Sequence, residues 1–170
     1  WTGVQKMNIS AQAVEMIKHH EGVRFKPYRC PAKLWTVGVG HVLYPEQGKL
    51  KIENRDEFLL RPEDNRVWTK EEVDGILRSD LARFERGVAQ LLPVALTQGE
   101  FDACVSFSFN VGLGTLQRST FRQKVIRGDK DAAIESLLQY CKAGGKVLRG
   151  LENRRKEEAA LFKSTPEKLI

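Results

Sequence analysis

Cysteine is scarce in this sequence: only Cys30, Cys104 and Cys141 occur among 170 residues. Three scattered cysteines do not make a disulfide framework, since any bridge would leave one thiol unpaired. Their spacing also matches no metal-binding pattern, so neither a disulfide-stapled fold nor a metal site is expected. Cys104 and Cys141 lie in helical patterns and are interpreted as core thiols.

Long apolar runs are missing as well. No stretch of about 20 apolar residues occurs, so a membrane span is not expected in this chain. No charged segment leads into an apolar one, so a signal peptide is not expected either. The chain begins at Trp1, and whether a leader was removed is left open. No internal repeat is present, and 170 residues suffice for one domain, or for two lobes that share a helix.

Acidic residues are in the minority. Against 28 Lys and Arg there are 22 Asp and Glu, which gives a formal charge of +6 and a pI of about 9.3. This balance favours an anionic polymer as partner, and both the bacterial wall and nucleic acid fit. Nucleic acid is the less favoured partner, because the basic residues are dispersed among acidic ones and no nucleic-acid-binding motif is present.

One predicted helix ends at an acidic residue. Ser10 suits the N-cap position, and Ala13, Ile17 and Glu21 then recur every four residues on one face. Gly22 is a favourable C-cap, which puts Glu21 in the last turn. Partial burial and the helix dipole would both favour a protonated carboxyl, the form that a general acid needs. The alternative is an exposed glutamate at a helix end.

The next residues predict a β-hairpin. Two extended runs, Phe25–Cys30 and Leu34–Val42, are separated by a turn-compatible stretch that begins with Pro31. Cys30 and Thr36 flank this turn. By strand alternation Thr36 lies on the face that carries two glycines, and such a bare face is expected where a ligand or another backbone approaches closely.

Other segments predict helices and their limits. Capping boxes at Thr69 with Glu72 and at Thr97 with Glu100 mark the starts of two long helices, and Ser119 and Asp129 suit two further N-caps. A glycine pair marks a loop at 144–145, and a last charged helix is predicted to open at Arg154. The polar segment 42–67 is expected to expose a solvated face of charges: Lys49, Lys51, Arg55, Arg61 and Arg66.

The histidines are interpreted as structural rather than catalytic. His41 is expected to be bonded to a carboxylate, because strand alternation places it on the apolar face of the hairpin. His19 and His20 are expected to be surface residues at a helix end.

Several motifs resemble one family. Glu21, Cys30 and Thr36, nine and then six residues apart in the frame E-G…Y-x-C-P-A…W-T-V-G-V-G-H, closely resemble the catalytic segment of the phage-type lysozymes, the endolysin muramidases. Further motifs match in the same order and extend the resemblance from Ile9 to Phe162. They are FDACVSFSFNVGLG at Phe101–Gly114, the dipeptide Ser119-Thr120, and GLENRRKEE at Gly150–Glu158.

The resemblance implies an α+β, lysozyme-like fold with two lobes in a single domain, 1–170. An N-terminal lobe with a β-hairpin would span about 9–68, a connecting helix about 69–92, and a helical C-terminal lobe about 93–163. The cleft between the lobes would bind the substrate.

The implied activity is hydrolysis of the β-1,4 bond between N-acetylmuramic acid and N-acetylglucosamine in peptidoglycan, causing host cell lysis. Glu21 would protonate the leaving oxygen, and Cys30 and Thr36 would act on the attacking water. The positions that match the family's substrate contacts are Phe109, Asn110, Ser119, Thr120 and Arg154. A monomer without cofactor is implied, passing from the host cytoplasm to the periplasm at lysis.

One departure keeps alternatives open. Many family members carry Asp where this chain has Cys30, and a thiol with an ordinary pKa of about 8.5 is mostly protonated at neutral pH. A lytic transglycosylase, which needs only the acid, is therefore one alternative. A non-catalytic binder of anionic polymers is the other.

In the family the arginine matching Arg154 approaches the catalytic glutamate. Two exposed arginines on a solvated face are the alternative for Arg154 and Arg155.

Overall fold

The computed structural model describes residues 6–164 as seven α-helices and two small antiparallel sheets. The helices are α1 (Ala11–Glu21), α2 (Lys70–Leu91), α3 (Gln98–Val111), α4 (Leu113–Arg118), α5 (Thr120–Arg127), α6 (Lys130–Leu138) and α7 (Arg149–Lys163). The strands are β1 (Arg24–Arg29), β2 (Trp35–Gly38), β3 (His41–Val42), β4 (Lys142–Ala143) and β5 (Lys146–Val147). Helices dominate and the sheets are small, as expected of the α+β class predicted.

The chain divides into two compact units. Glu21–Asp80 form one, which contains the three-stranded sheet β1-β2-β3. Of the described residues, 6–20 and 81–164 form the other, and it contains most of the helices. The first helix therefore groups largely with the C-terminal helices, whereas we expected it in the N-terminal lobe.

The hairpin forms at the predicted turn, but its second strand is shorter than predicted. In the β1-β2 pair Tyr28 lies opposite Thr36, and β3 adds to the far edge with His41 opposite Val37. The predicted single run Leu34–Val42 is wrong. The chain reverses between β2 and β3 because Gly38 and Gly40 both have φ of +68°, a left-handed conformation that interrupts an extended strand.

The segment after β3 braces the hairpin. It forms three short 3₁₀ turns, Pro45–Lys49, Ile52–Glu57 and Pro62–Asp64. Arg29 of β1 donates to three of its carbonyl oxygens at 2.8 to 3.1 Å. In return, Arg55 donates to the Ala32 carbonyl oxygen in the hairpin turn at 2.8 Å. The expectation of a wholly solvated charged face is therefore wrong for Arg55, whose guanidinium satisfies backbone acceptors.

Helix starts follow the predicted capping chemistry. Thr69 and Glu72 exchange side-chain and backbone hydrogen bonds before α2, and Thr97 and Glu100 do the same before α3. The Ser10 hydroxyl accepts from the Ala13 N–H at the start of α1. Ser119 and Asp129 cap α5 and α6 as predicted.

The predicted start of the last helix is wrong, whereas the loop predicted at 144–145 is confirmed. Helix α7 begins at Arg149, five residues before the predicted start at Arg154, and its N-cap position is held by Leu148 without a side-chain hydrogen bond. The predicted loop at 144–145 is the two-residue turn of the β4-β5 hairpin, in which Gly144 and Gly145 have φ of +58° and +78°. The start of α7 was hard to predict because no capping residue precedes this helix.

Helix α3 is the centre of the helical unit. Its residues from Gly99 to Ser108 are all buried. Phe107 meets Phe121 and Tyr140 edge to face, with ring centroids 5.4 and 5.0 Å apart. Such pairs stabilise a core by about 0.5–1.5 kcal/mol beyond the burial of their area. The start of α1 is joined to this helix by Ser10, whose hydroxyl donates to Asp102 at 2.6 Å.

Within residues 6–164, no helix combines the length and the apolar character that crossing a membrane requires.

The glycines at the β2-β3 reversal give a matched pair for a stability test. We expect Gly40→Ala to cost about 1–2 kcal/mol, because the left-handed conformation is unfavourable for alanine and a Cβ there meets open space. Gly38→Ala should cost about 1 kcal/mol more, because its Cβ would lie 3.2 Å from Cγ1 of the buried, β-branched Val73. Urea unfolding measures both; equal losses would contradict the close packing of Val73.

Candidate active site

Glu21 is the last residue of α1. The buried face of this helix consists of Ala13 and Ile17, and the helix ends at Gly22, whose φ is +80°. The predicted helix end is therefore confirmed. The predicted partial burial of Glu21 is wrong, since the residue is exposed. Ile17 is the last buried residue of this face, one turn before Glu21, and the chain leaves the helix directly after Glu21.

Cys30 and Thr36 come together at the tip of the hairpin through one carbonyl group. The Leu34 carbonyl oxygen accepts from the Cys30 N–H at 2.9 Å and from the Thr36 hydroxyl at 2.8 Å. Lys33 closes the turn: its N–H donates to the Cys30 carbonyl oxygen at 2.7 Å, and its φ is +63°. Thr36 is only 2% exposed, so its hydroxyl occupies a fixed position.

The hairpin tip makes the Cys30 thiol more acidic. Burial of the thiol opposes its ionisation, but hydrogen bonds with the backbone of Leu34 and Ala32 and with the Thr36 side chain outweigh it. The pKa of Cys30 is therefore lowered from its ordinary value. At a given pH, Cys30 therefore has a larger thiolate fraction than an ordinary cysteine.

Two histidines pair with carboxylates. His41 Nδ1 lies 2.8 Å from Asp80 Oδ2, which confirms the predicted structural pairing of this histidine. His20 is bonded to Glu157 and its side chain is largely buried, so the expectation of a surface histidine is wrong for His20. Both pairs join residues that are far apart in sequence.

Phe109 and Asn110 lie in the last turn of α3, and both are half-buried. The Phe109 ring meets Phe84 edge to face at 5.1 Å between centroids. The Asn110 Oδ1 accepts a hydrogen bond of 2.6 Å from Arg155. Each side chain is thus held from one side while part of its surface stays open.

Ser119 and Thr120 have different surroundings. The Ser119 side chain is 2% exposed; its hydroxyl donates to the Leu116 carbonyl oxygen at 2.7 Å and accepts from the Arg122 N–H at 3.0 Å. This hydroxyl is therefore occupied as a helix cap. Thr120, the next residue, is exposed.

Arg154 and Arg155 are buried, so the alternative of two exposed arginines is wrong. They are 3% and 0% exposed, and they flank Glu158, which is also 0% exposed. Arg154 Nε lies 3.3 Å from Glu158 Oε2, and Arg155 Nε lies 2.9 Å from Glu158 Oε1. Arg154 also donates to the Ser106 carbonyl oxygen at 3.1 Å, and the Ser106 hydroxyl donates to Glu158. Burial raises the pKa of Glu158, while the two guanidinium groups and Ser106 oppose that rise.

Sequence reasoning missed two members of this buried cluster, Ser106 and Glu158. The available signal was the spacing in α7. Arg154 lies four positions and Arg155 three positions before Glu158, and side chains at these spacings meet on the surface of a helix. The spacing is equally compatible with an exposed ion pair, so it could not predict the burial.

The fold is lysozyme-like. The muramidase domain of SpmX from Asticaccaulis excentricus superimposes with a TM-score of 0.75 at 30% sequence identity, covering 93% of this chain and 99% of that one. The family model for phage lysozyme matches residues 18–158. The chain belongs to the phage lysozyme family.

Individual relatives agree with this assignment. The endolysin of Bacillus phage B103 is 38% identical over 161 residues, which cover 92% of this chain and 54% of that relative. The endolysin of Acyrthosiphon pisum secondary endosymbiont phage 1 is 35% identical over 162 residues, covering 93% of this chain and 99% of the relative. The chain therefore spans little more than half the length of the first of these endolysins and nearly all of the second.

The acidity of Cys30 can be tested by alkylation. In the folded protein, Cys30 should react with iodoacetamide at lower pH than an ordinary thiol, and Thr36→Val should move its profile to higher pH because one hydrogen bond is lost. Thr36→Ser keeps the hydroxyl and should leave the profile in place. Mass spectrometry of the Cys30 peptide measures the rate. Buried Cys104, whose pKa burial raises, should stay unmodified. Identical profiles for the valine variant and the wild type would contradict the role of Thr36.

Proposed function

We propose that this protein is an endolysin that hydrolyses the β-1,4 bond between N-acetylmuramic acid and N-acetylglucosamine in peptidoglycan, causing host cell lysis. The observation that carries the proposal is the hairpin tip, where a thiol of lowered pKa meets the buried Thr36 hydroxyl. It occurs in a chain of the phage lysozyme family that ends its first helix at Glu21.

Glu21 is proposed as the general acid that protonates the leaving sugar oxygen. It is the carboxylate in the matching position, and general acid catalysis contributes about 10²–10⁴-fold to a rate. Because Glu21 is exposed in the free protein, we infer that the bound glycan supplies the water-poor surroundings in which the proton is held and transferred.

Cys30 and Thr36 are proposed to act on the attacking water. A thiolate can accept a proton from water, and the Thr36 hydroxyl, which donates its own proton to the Leu34 carbonyl oxygen, can accept a hydrogen bond from that water. The fixed position of this hydroxyl would orient the water at little entropic cost. Because only one carboxylate is assigned, the rule that predicts inversion or retention from carboxyl separation does not apply.

Substrate contacts are proposed for Phe109, Asn110 and Thr120, the matching residues that keep open surface. Ser119 and Arg154 are buried and engaged, so we propose that they support these contacts rather than touch the glycan. The proposed enzyme works as a monomer without a cofactor, and it reaches the wall from the host cytoplasm through the periplasm at lysis.

Substitution of the proposed acid tests the mechanism. Glu21→Gln should lower the rate of peptidoglycan degradation by at least 10²-fold, because the amide cannot donate a proton to the leaving oxygen. Circular dichroism and the melting temperature should stay close to wild type, since the residue is exposed. Glu15→Gln is the matched control, an exposed carboxylate of the same helix, and should keep full activity.

The outcomes of this substitution separate the functions. Full activity of Glu21→Gln would overturn the assignment of the acid. Binding to walls without degradation by the wild type would favour the non-catalytic binder.

Product analysis separates hydrolysis from its closest alternative. The assignment of a single carboxylate also suits a lytic transglycosylase, which needs no activated water. We expect mass spectrometry to find reducing N-acetylmuramic acid ends, and anhydromuramyl ends would favour the transglycosylase.

Substitution of Cys30 tests the role of the thiol. Cys30→Asp should keep hydrolysis, whereas Cys30→Ser should lower the rate of hydrolysis about 10-fold or more, because a serine hydroxyl does not ionise near neutral pH. Equal rates for Cys30→Ser and wild type would exclude a role for the thiol.

A further inference from the structure

We propose that Arg155 is a positioning residue that orients Asn110 so that its amide NH₂ group faces the glycan. This inference rests on the proposed function, because it takes Asn110 as a substrate contact.

Arg155 is held in place by its surroundings. Its side chain is 0% exposed, and its guanidinium carbon lies 4.9 Å from the centre of the Phe107 ring. Its Nε lies 2.9 Å from Glu158 Oε1. A buried guanidinium held by a carboxylate and an aromatic face loses little further freedom when it binds another group.

The hydrogen bond from this guanidinium to Asn110 decides the orientation of the Asn110 amide. Arginine has only N–H donors, so the atom of Asn110 that it meets at 2.6 Å must be the carbonyl oxygen Oδ1. The two ends of an asparagine amide are otherwise interchangeable in shape, and the hydrogen-bond partner selects between them. The Nδ2 group then points away from Arg155 and carries two donors.

These donors fit an acceptor on the ligand. Within the described chain Nδ2 donates no hydrogen bond, and Asn110 is half-buried beside Phe109 in the last turn of α3. A glycan of N-acetylated sugars offers acetamido carbonyl and hydroxyl oxygens, whereas a donor on the ligand would find no acceptor at this end. Without Arg155, the amide could rotate and present Oδ1 in place of Nδ2.

Arg155 faces a buried carboxylate inside the protein. Glu158 is shared with Arg154 and accepts from the Ser106 hydroxyl, so the buried carboxylate has partners from both α3 and α7. The Asn110 position is thereby tied to the packing of α3 against α7.

The test measures binding of a soluble N-acetylglucosamine hexasaccharide by calorimetry, in the Glu21→Gln background so that the probe is not cleaved. Asn110→Asp keeps the acceptor for Arg155 and removes both donors, so the Kd should rise about tenfold. Asn153→Asp adds the same charge at an exposed position of α7 and should leave the Kd unchanged. An unchanged Kd for Asn110→Asp would overturn the proposed orientation.

A double-substitution cycle tests the role of Arg155 itself. Arg155→Met should raise the Kd about tenfold when Asn110 is present and have no further effect in the Asn110→Ala background. A merely structural role would weaken binding equally in both backgrounds, and that result would overturn the inference. If Arg155→Met does not fold, Asn110→Asp still decides the orientation, because it leaves the buried cluster intact.

The two proposals fail separately. If the Kd measurements contradict the role of Arg155 while the wild type still degrades peptidoglycan, the proposed function is unaffected. A wild type that neither degrades peptidoglycan nor binds the hexasaccharide would overturn both.

Discussion

Glu158 lies fully buried between two buried guanidinium groups, and this cluster ties α3 to α7. A buried charge is tolerated only when it is paired and hydrogen-bonded, and removal of one partner from such a cluster typically costs about 3–5 kcal/mol. The cluster therefore restricts where α3 can lie relative to α7. It thereby also fixes the last turn of α3, which carries Phe109 and Asn110, relative to α7.

In the unit formed by Glu21–Asp80, arginine side chains are also paired, but with backbone carbonyl oxygens in place of a carboxylate. Arg29 and Arg55 connect the hairpin to the 3₁₀ segment, and the buried Gln47 side chain accepts from the Trp35 N–H at 2.8 Å. A hairpin of this size is marginal by itself, so these bonds matter for its shape. They hold the turn in which Cys30 and Thr36 meet, and the hydrogen bonds of that turn make the thiol more acidic.

The proposed mechanism uses a thiol at Cys30, and a thiol differs from a carboxylate in what makes it ionise. A carboxylate is ionised at neutral pH through its intrinsic acidity, whereas a thiol depends on its neighbours. The hairpin tip supplies such neighbours, since hydrogen bonds outweigh the effect of burial on Cys30. Glu21 is exposed, so the proposed mechanism relies on the bound substrate to exclude water around the transferred proton.

Local chemistry was readable from the sequence, and long-range contacts were not. The capping boxes at Thr69 and Thr97, the end of α1 at Gly22 and the turn beside Cys30 were all predicted, because each depends on residues within a few positions of one another. The burial of Arg155 and Glu158, the bracing role of Arg55 and the exposure of Glu21 were decided only by the tertiary structure. Ser106 and Glu158 are 52 positions apart, so nothing in their local sequence announces their hydrogen bond. Whether a charged side chain faces water or a partner depends on which distant segments pack around it, and the free energy of that choice is settled only when the chain has folded.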